Sequence, residues 1–139
     1  MVWRFALSDV LYLLLYFGAG VIIFPYVRDF YATQTVPPAK TIVGLQLLLR
    51  GPVFVAVCLL LMRMIGLSRW KGALVLGFVF TMLSGVVALL PPNPYFPDAV
   101  RWVHFGEVVS SNFVFGMLVG LIWGKSGTSV APQTMQHAA

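Results

Sequence analysis

Four apolar runs, each close to the length of a bilayer crossing, leave this chain few folds to choose from. They cover 10–27 (VLYLLLYFGAGVIIFPYV), 42–62 (IVGLQLLLRGPVFVAVCLLLM), 72–90 (GALVLGFVFTMLSGVVALL) and roughly 100–123. A helix needs about 20 apolar residues to cross the hydrocarbon core. The runs are continuous and do not alternate in period two, which excludes a transmembrane β-barrel. The fold class they predict is all-α and integral to the membrane, a four-transmembrane-helix bundle. Its helices are expected at about 8–27, 41–63, 72–90 and 99–124. Composition points the same way, because the 139 residues are 60% hydrophobic and 9% charged, whereas soluble domains are about 25% charged.

One domain, 1–125, holds all four runs. The remainder, SGTSVAPQTMQHAA (126–139), is small, polar and aperiodic, and reads as a disordered cytoplasmic tail. The first run exceeds the roughly 7–15 apolar residues of a secretory signal and has no A-x-A-like site after it, so it reads as a retained helix. The single cysteine, Cys58, sits in an apolar run and supports neither a disulfide nor a thiolate metal site. The net charge of +5 comes from Lys and Arg spread over short connectors. That distribution serves membrane topology and argues against nucleic acid as a partner.

Arg4, Arg63, Arg69, Lys71 and Lys125 fall on one side of a four-span chain, and Arg28, Lys40 and Arg101 on the other. Excess Lys and Arg mark the cytoplasmic face, so both termini are expected inside. The outer connectors VRDFYATQTVPPAK (27–40) and PPNPYFPD (91–98) are proline-rich and read as stiff, non-helical loops. Asp98 stands where an N-cap of the fourth helix would stand. Asp9, beside Ser8, reads as a helix-start residue at the inner interface.

The stretch RWVHFGEVVSSN (101–112) puts a cation, an imidazole and a carboxylate at the head of the fourth run. At 100° per residue, Arg101, His104, Glu107 and Ser111 share an arc of about 120°. The second run has the same asymmetry, with Gln46 and Arg50 in its outer half and Gly51-Pro52 after them. Counted from the inner basic residues, Arg50 and Glu107 lie at depths of about 20 Å and 27 Å, and helical side chains lean toward the N-terminus. An Arg50–Glu107 ion pair is therefore predicted, within an intramembrane polar network of Gln46, Arg50, His104, Glu107 and Ser111. Asp98 and Arg101 belong to the outer interface. In the inner half of the fourth run, Gly116, Gly120 and Gly124 repeat every fourth residue, a spacing that lets another helix approach closely.

His104-x-x-Glu107 is half of a carboxylate–histidine metal motif, in reversed order and without a second copy. No metal and no cofactor follows from it. No nucleophile–base pair or phosphate loop stands out, so no catalytic residue is assigned and the chain reads as non-enzymatic. The first expectation for function is a small accessory subunit in the bilayer. It would pack against other transmembrane helices, its own copies or a larger complex, by means of the glycine ladder. The alternative is an oligomeric small-ion, proton or anion transporter or channel with its site in the outer polar layer. A bacterial inner membrane is the expected location.

Overall fold

The computed structural model describes residues 1–86 and 97–124. Among them the only regular structure is helical. Helix α1 is Val2–Ala32 and α2 is Ala39–Ile65; α3 is Arg69–Phe80, prolonged by a π-turn over Thr81–Val86; α4 is Asp98–Trp123. Helices α1, α2 and α4 are each long and apolar enough to cross a membrane, and the chain is membrane-embedded. The end of the third predicted span (87–90), most of the second outer connector (91–96), Lys125 and the tail 126–139 lie outside the described residues.

The first outer connector is shorter than the prolines suggested. Pro25 lies inside α1, which continues to Ala32 and closes with the Thr33 hydroxyl donating to the Phe30 carbonyl at 2.7 Å. A proline ring removes one hydrogen bond, but its φ is that of a helix, and in a membrane the freed carbonyl can be tolerated. Only 33–38 remain as loop before α2 begins after Pro38. At its other end α2 stops at Gly66, whose φ of 64° lies in the left-handed region that closes helices at low cost for glycine.

Proline acts differently in α2. Pro52 has no N–H for the Leu48 carbonyl, and the backbone answers by widening into a π-turn over Gln46–Arg50, where the Gly51 N–H reaches back five residues to the Gln46 carbonyl. In α3 the turn Thr81–Val86 is also widened, and the Ser84 hydroxyl donates back to the Phe80 carbonyl.

The helices pack in three layers. At one end, named inner after the sequence expectation and the opposite end outer, the start of α1, the start of α3 and the end of α4 meet. Arg69 Nε donates to the Leu121 carbonyl at 2.6 Å and Arg4 Nη1 to the Ile122 carbonyl at 3.4 Å, so two cations serve the carbonyls that close α4. The Trp123 indole donates to the Ser8 hydroxyl at 3.1 Å. Above this, α3 and α4 lie backbone to backbone. A Cβ on Gly120 would stand 2.3 Å from the Ala73 Cα, one on Gly116 2.6 Å from the Leu76 carbonyl oxygen, and one on Gly124 2.7 Å from the Arg69 Cα. The glycine ladder is thus used inside the chain, against α3. Ala73 and Gly77 make α3 a fitting partner, because small residues facing each other allow close approach.

The middle layer is a ring of four aromatic side chains, one from each helix. Tyr12 stands edge-on to Phe54 (5.3 Å between centroids) and to Phe115 (5.1 Å), and Phe80 edge-on to Phe54 (5.1 Å) and Phe115 (5.9 Å). Such edge-to-face pairs contribute about 0.5–1.5 kcal/mol each beyond area burial. Lipid is as apolar as the rings, so packing holds this layer together. The third, outer layer is not closed.

Candidate functional site

Above the aromatic ring, α1, α2 and α4 splay apart around a cavity of about 440 Å³. Beyond the π-turn, Ala39–Leu45 packs little against the other helices. Tyr12, part of the ring, also lines the cavity, so the ring forms its floor. At the outer end the lining includes Tyr31 and Val36. Val21, 73% exposed and midway along α1, belongs to the wall, so the cavity also opens sideways.

Arg50, His104, Glu107 and Ser111 all line this cavity. The sequence therefore identified four of its polar residues, but the contacts among them differ from those expected. Arg50 and Glu107 form no ion pair. The Arg50 guanidinium lies over the Phe54 ring, 5.3 Å from its centroid, one turn toward the inner end. Glu107 faces Gly20 on α1, and its Oε2 is 2.8 Å from Nδ1 of His104, one turn outward. Both side chains line one cavity, yet each is held by a neighbour on its own helix. Two local partners explain the difference. An aromatic face at i+4 attracts the guanidinium, and an imidazole at i−3 meets the carboxylate before any other helix can. The lean toward the N-terminus that predicted the pair is overridden by the ring.

Ser111 donates to the Glu107 carbonyl at 2.8 Å, and so spends its hydroxyl on its own helix. Gln46 is separated from the network. It is 3% exposed, lies in the π-turn that packs on α1, and does not reach the cavity. Its Oε1 is buried without a hydrogen-bond partner, as is Oδ1 of Asp9, which abuts Gly51. Asp9 is not a helix-start residue, because α1 begins at Val2 and carries Asp9 two turns inward to the α1–α2 seam. Nor is Asp98 the N-cap. Pro97 holds that position, and Asp98, the first helical residue, has Oδ1 2.7 Å from Nη2 of Arg101. That pair belongs to the outer end of α4 and does not line the cavity.

Sequence reasoning missed Asn112 and the tyrosines. Asn112 is buried, lines the cavity and donates to the Val108 carbonyl at 2.7 Å. It stood in the polar stretch 101–112, where an amide inside an apolar span is itself a signal. Tyr12, Tyr16 and Tyr31 also line the cavity. Tyr12 and Tyr16 are one turn apart on α1, a spacing that puts both on one face.

Among the described residues no group of three or more His, Cys, Asp or Glu is placed to hold a metal ion. The arrangement can hold an ionic ligand. A guanidinium supplies fixed positive charge and up to five donors, and the Glu107 carboxyl and His104 imidazole supply further polar groups on the same wall. Compared with known protein families, with curated proteins and with solved structures, the chain matches none.

Proposed function

We propose that this chain is a non-enzymatic, four-span membrane protein of the bacterial inner-membrane type, which as an oligomer binds and passes a small ion through its outer cavity. The observation that carries this reading is the cavity of about 440 Å³, with Arg50 and the His104–Glu107 pair in its walls and no ion pair between them. Ionisable groups within membrane helices are costly, and where they line a cavity they mark a pathway or a binding site. Orientation follows from Arg4 and Arg69 at the end where α1 starts and α4 stops. Basic residues favour the cytoplasmic face, so both termini face the cytoplasm and the cavity faces outward. The fourth crossing would be the run 72–90, begun by α3. The aromatic ring is the barrier between the cavity and the inner half, and passage requires it to part.

A second reading, the accessory subunit, is favoured by one observation. The outer stretch of α2, Ala39–Leu45, is barely covered by the rest of the chain, and a helix from a partner would find room there. The glycine ladder no longer argues for that reading, being occupied by α3.

Reconstitution in liposomes separates the two. Proton, chloride and phosphate fluxes are measured with internal dyes, and the gently extracted protein is weighed for co-purifying chains. The transport reading expects flux above that of empty liposomes, reduced in Glu107→Gln and Arg50→Gln with oligomer mass unchanged. No flux of any of the three, together with stoichiometric membrane partners, would give the accessory reading the field.

A further inference from the structure

If the cavity is a binding site, as proposed above, the chemistry of its walls also selects the ligand. Arg50 provides a permanent charge and a planar fork of donors. Among the described residues it forms no ion pair, and its contact is the Phe54 ring, which accepts charge but not five hydrogen bonds. Neither Glu107 nor Asp9 is paired with it. Glu107 stands against His104, and Oδ1 of Asp9 abuts Gly51. A guanidinium fork within a membrane span, short of a counter-charge, is suited to a carboxylate or phosphate.

Apart from Arg50, the tyrosines and the polar side of α4 with His104, Glu107, Ser111 and Asn112, the wall is apolar, with Leu15, Phe17, Ile23, Val27 and Ile42 in it. A bare inorganic anion would give up its hydration to these side chains for one cation in return. An apolar body would instead fill the space. From Tyr12 to Tyr31 the lining follows α1 for nineteen residues, a groove of about 28 Å. Its lateral opening at Val21 lies in the middle of a membrane span, where amphiphiles dissolved in the bilayer have access.

We propose that the ligand is an organic anion with an apolar body, its carboxylate or phosphate head on Arg50 and its body laid along α1 toward Tyr31. It comes either from the bilayer or from the outer aqueous side, and the head-group chemistry is the same in both cases.

The test uses the full chain in phosphatidylcholine nanodiscs. Thermal unfolding is followed against dodecyl phosphate, dodecanol, dodecyltrimethylammonium, phenyl phosphate and inorganic phosphate. Dodecyl phosphate should stabilise at concentrations at least about tenfold lower than dodecanol, the factor that one charge-assisted contact is worth. Arg50→Gln should abolish that advantage, Arg50→Lys should keep part of it, and Arg28→Gln, at an exposed position outside the cavity, should leave it intact. Phenyl phosphate matching dodecyl phosphate would support the proposal with a water-borne ligand. Phenyl phosphate without effect would support it with a bilayer amphiphile.

Equal stabilisation by inorganic phosphate would overturn the apolar body while leaving the cavity a site. Preference for dodecyltrimethylammonium would overturn the sign of the ligand, again leaving the site. If no probe depends on Arg50 the proposal fails, and absence of flux in the liposome experiment would then remove the cavity reading as well. Should Arg50→Gln not fold, the ranking of the five probes on the unaltered chain decides by itself.

Discussion

The inner and outer halves of this bundle are built from similar residues and end in opposite states. In the inner half, Gly116, Gly120 and Gly124 bring α4 onto the backbone of α3, and Arg4, Arg69 and Trp123 tie the helix ends. In the outer half, two π-turns widen α2 and α3, Ala39–Leu45 loses contact with its neighbours, and a cavity of about 440 Å³ remains. Hydrophobicity cannot account for the difference, since lipid would accept either half. What separates them is how closely the backbones can approach, together with the polar groups a membrane does not accept unpaired. The aromatic ring of Tyr12, Phe54, Phe80 and Phe115 marks the boundary.

The most damaging change should be Gly120→Leu. A Cβ alone would meet the Ala73 Cα at 2.3 Å, and backbone cannot yield as a side-chain tip can. The expected cost exceeds the roughly 1–3 kcal/mol of ordinary overpacking, with little folded protein recovered from the membrane. Size-exclusion yield and thermal unfolding read it. A folded, stable Gly120→Leu protein would show that the α3–α4 seam is not closed as described.

Phe115→Ala comes next. Phe115 is 1% exposed and touches the rings of Tyr12, Phe54 and Phe80. Removing a buried Phe costs about 3–5 kcal/mol in soluble cores. In lipid the transfer part is small, so about 2–3 kcal/mol is expected, mostly from lost packing. The same change should make the floor leaky. Proteoliposomes carrying it should pass protons faster than those of the unaltered chain, and an unchanged leak would show that the ring is not the barrier.

Much of this contrast was legible in the chain, and the exceptions have physical causes. The apolar runs gave the helices, and the fourfold glycine spacing gave a close seam, though not the identity of its partner. That choice depends on Ala73 and Gly77, which look ordinary in an apolar run until α3 and α4 are brought together. Arg50, His104 and Glu107 could be found because ionisable groups in a membrane helix are conspicuous, and Ser111 because it shares the arc of the last two. The Arg50–Glu107 pairing failed because a ring four residues away and an imidazole three residues away are nearer than any other helix. The aromatic ring left no trace: in a run where nearly every residue is apolar, periodicity does not say which Phe faces inward. The π-turn follows from Pro52, which has no N–H for the Leu48 carbonyl.

A smaller effect sharpens the description of the inner end. In Trp123→Phe the indole N–H that donates to Ser8 at 3.1 Å is lost, and the buried Ser8 hydroxyl keeps its own bond to the Arg4 carbonyl at 2.9 Å. A loss of about 1 kcal/mol is expected, measured by reversible unfolding in mixed micelles. The outer cavity should not respond, and an altered dodecyl phosphate affinity would mean that the two halves are coupled.

The smallest effect compares glycines directly. Gly18 and Gly20 lie in α1 beside or in the cavity wall, where a Cβ on Gly18 meets nothing within 4 Å and one on Gly20 lies 3.7 Å from Oε1 of Glu107, an ordinary contact. Alanine is the better helix former by up to about 1 kcal/mol, so Gly18→Ala and Gly20→Ala should be neutral or slightly stabilising. At Gly120 even alanine should destabilise. The two outer variants should then divide by function. Gly20 lines the cavity and Gly18 does not, so only Gly20→Ala narrows the space before Glu107 and should weaken binding of dodecyl phosphate, by a few-fold at most for one methyl group. Stability unchanged with binding reduced would mean that glycine serves access in the outer half, where in the inner half it serves contact. Destabilisation by Gly20→Ala as large as that at Gly120 would mean that α1 and α4 are as tightly closed as α3 and α4, and the difference between the halves would disappear.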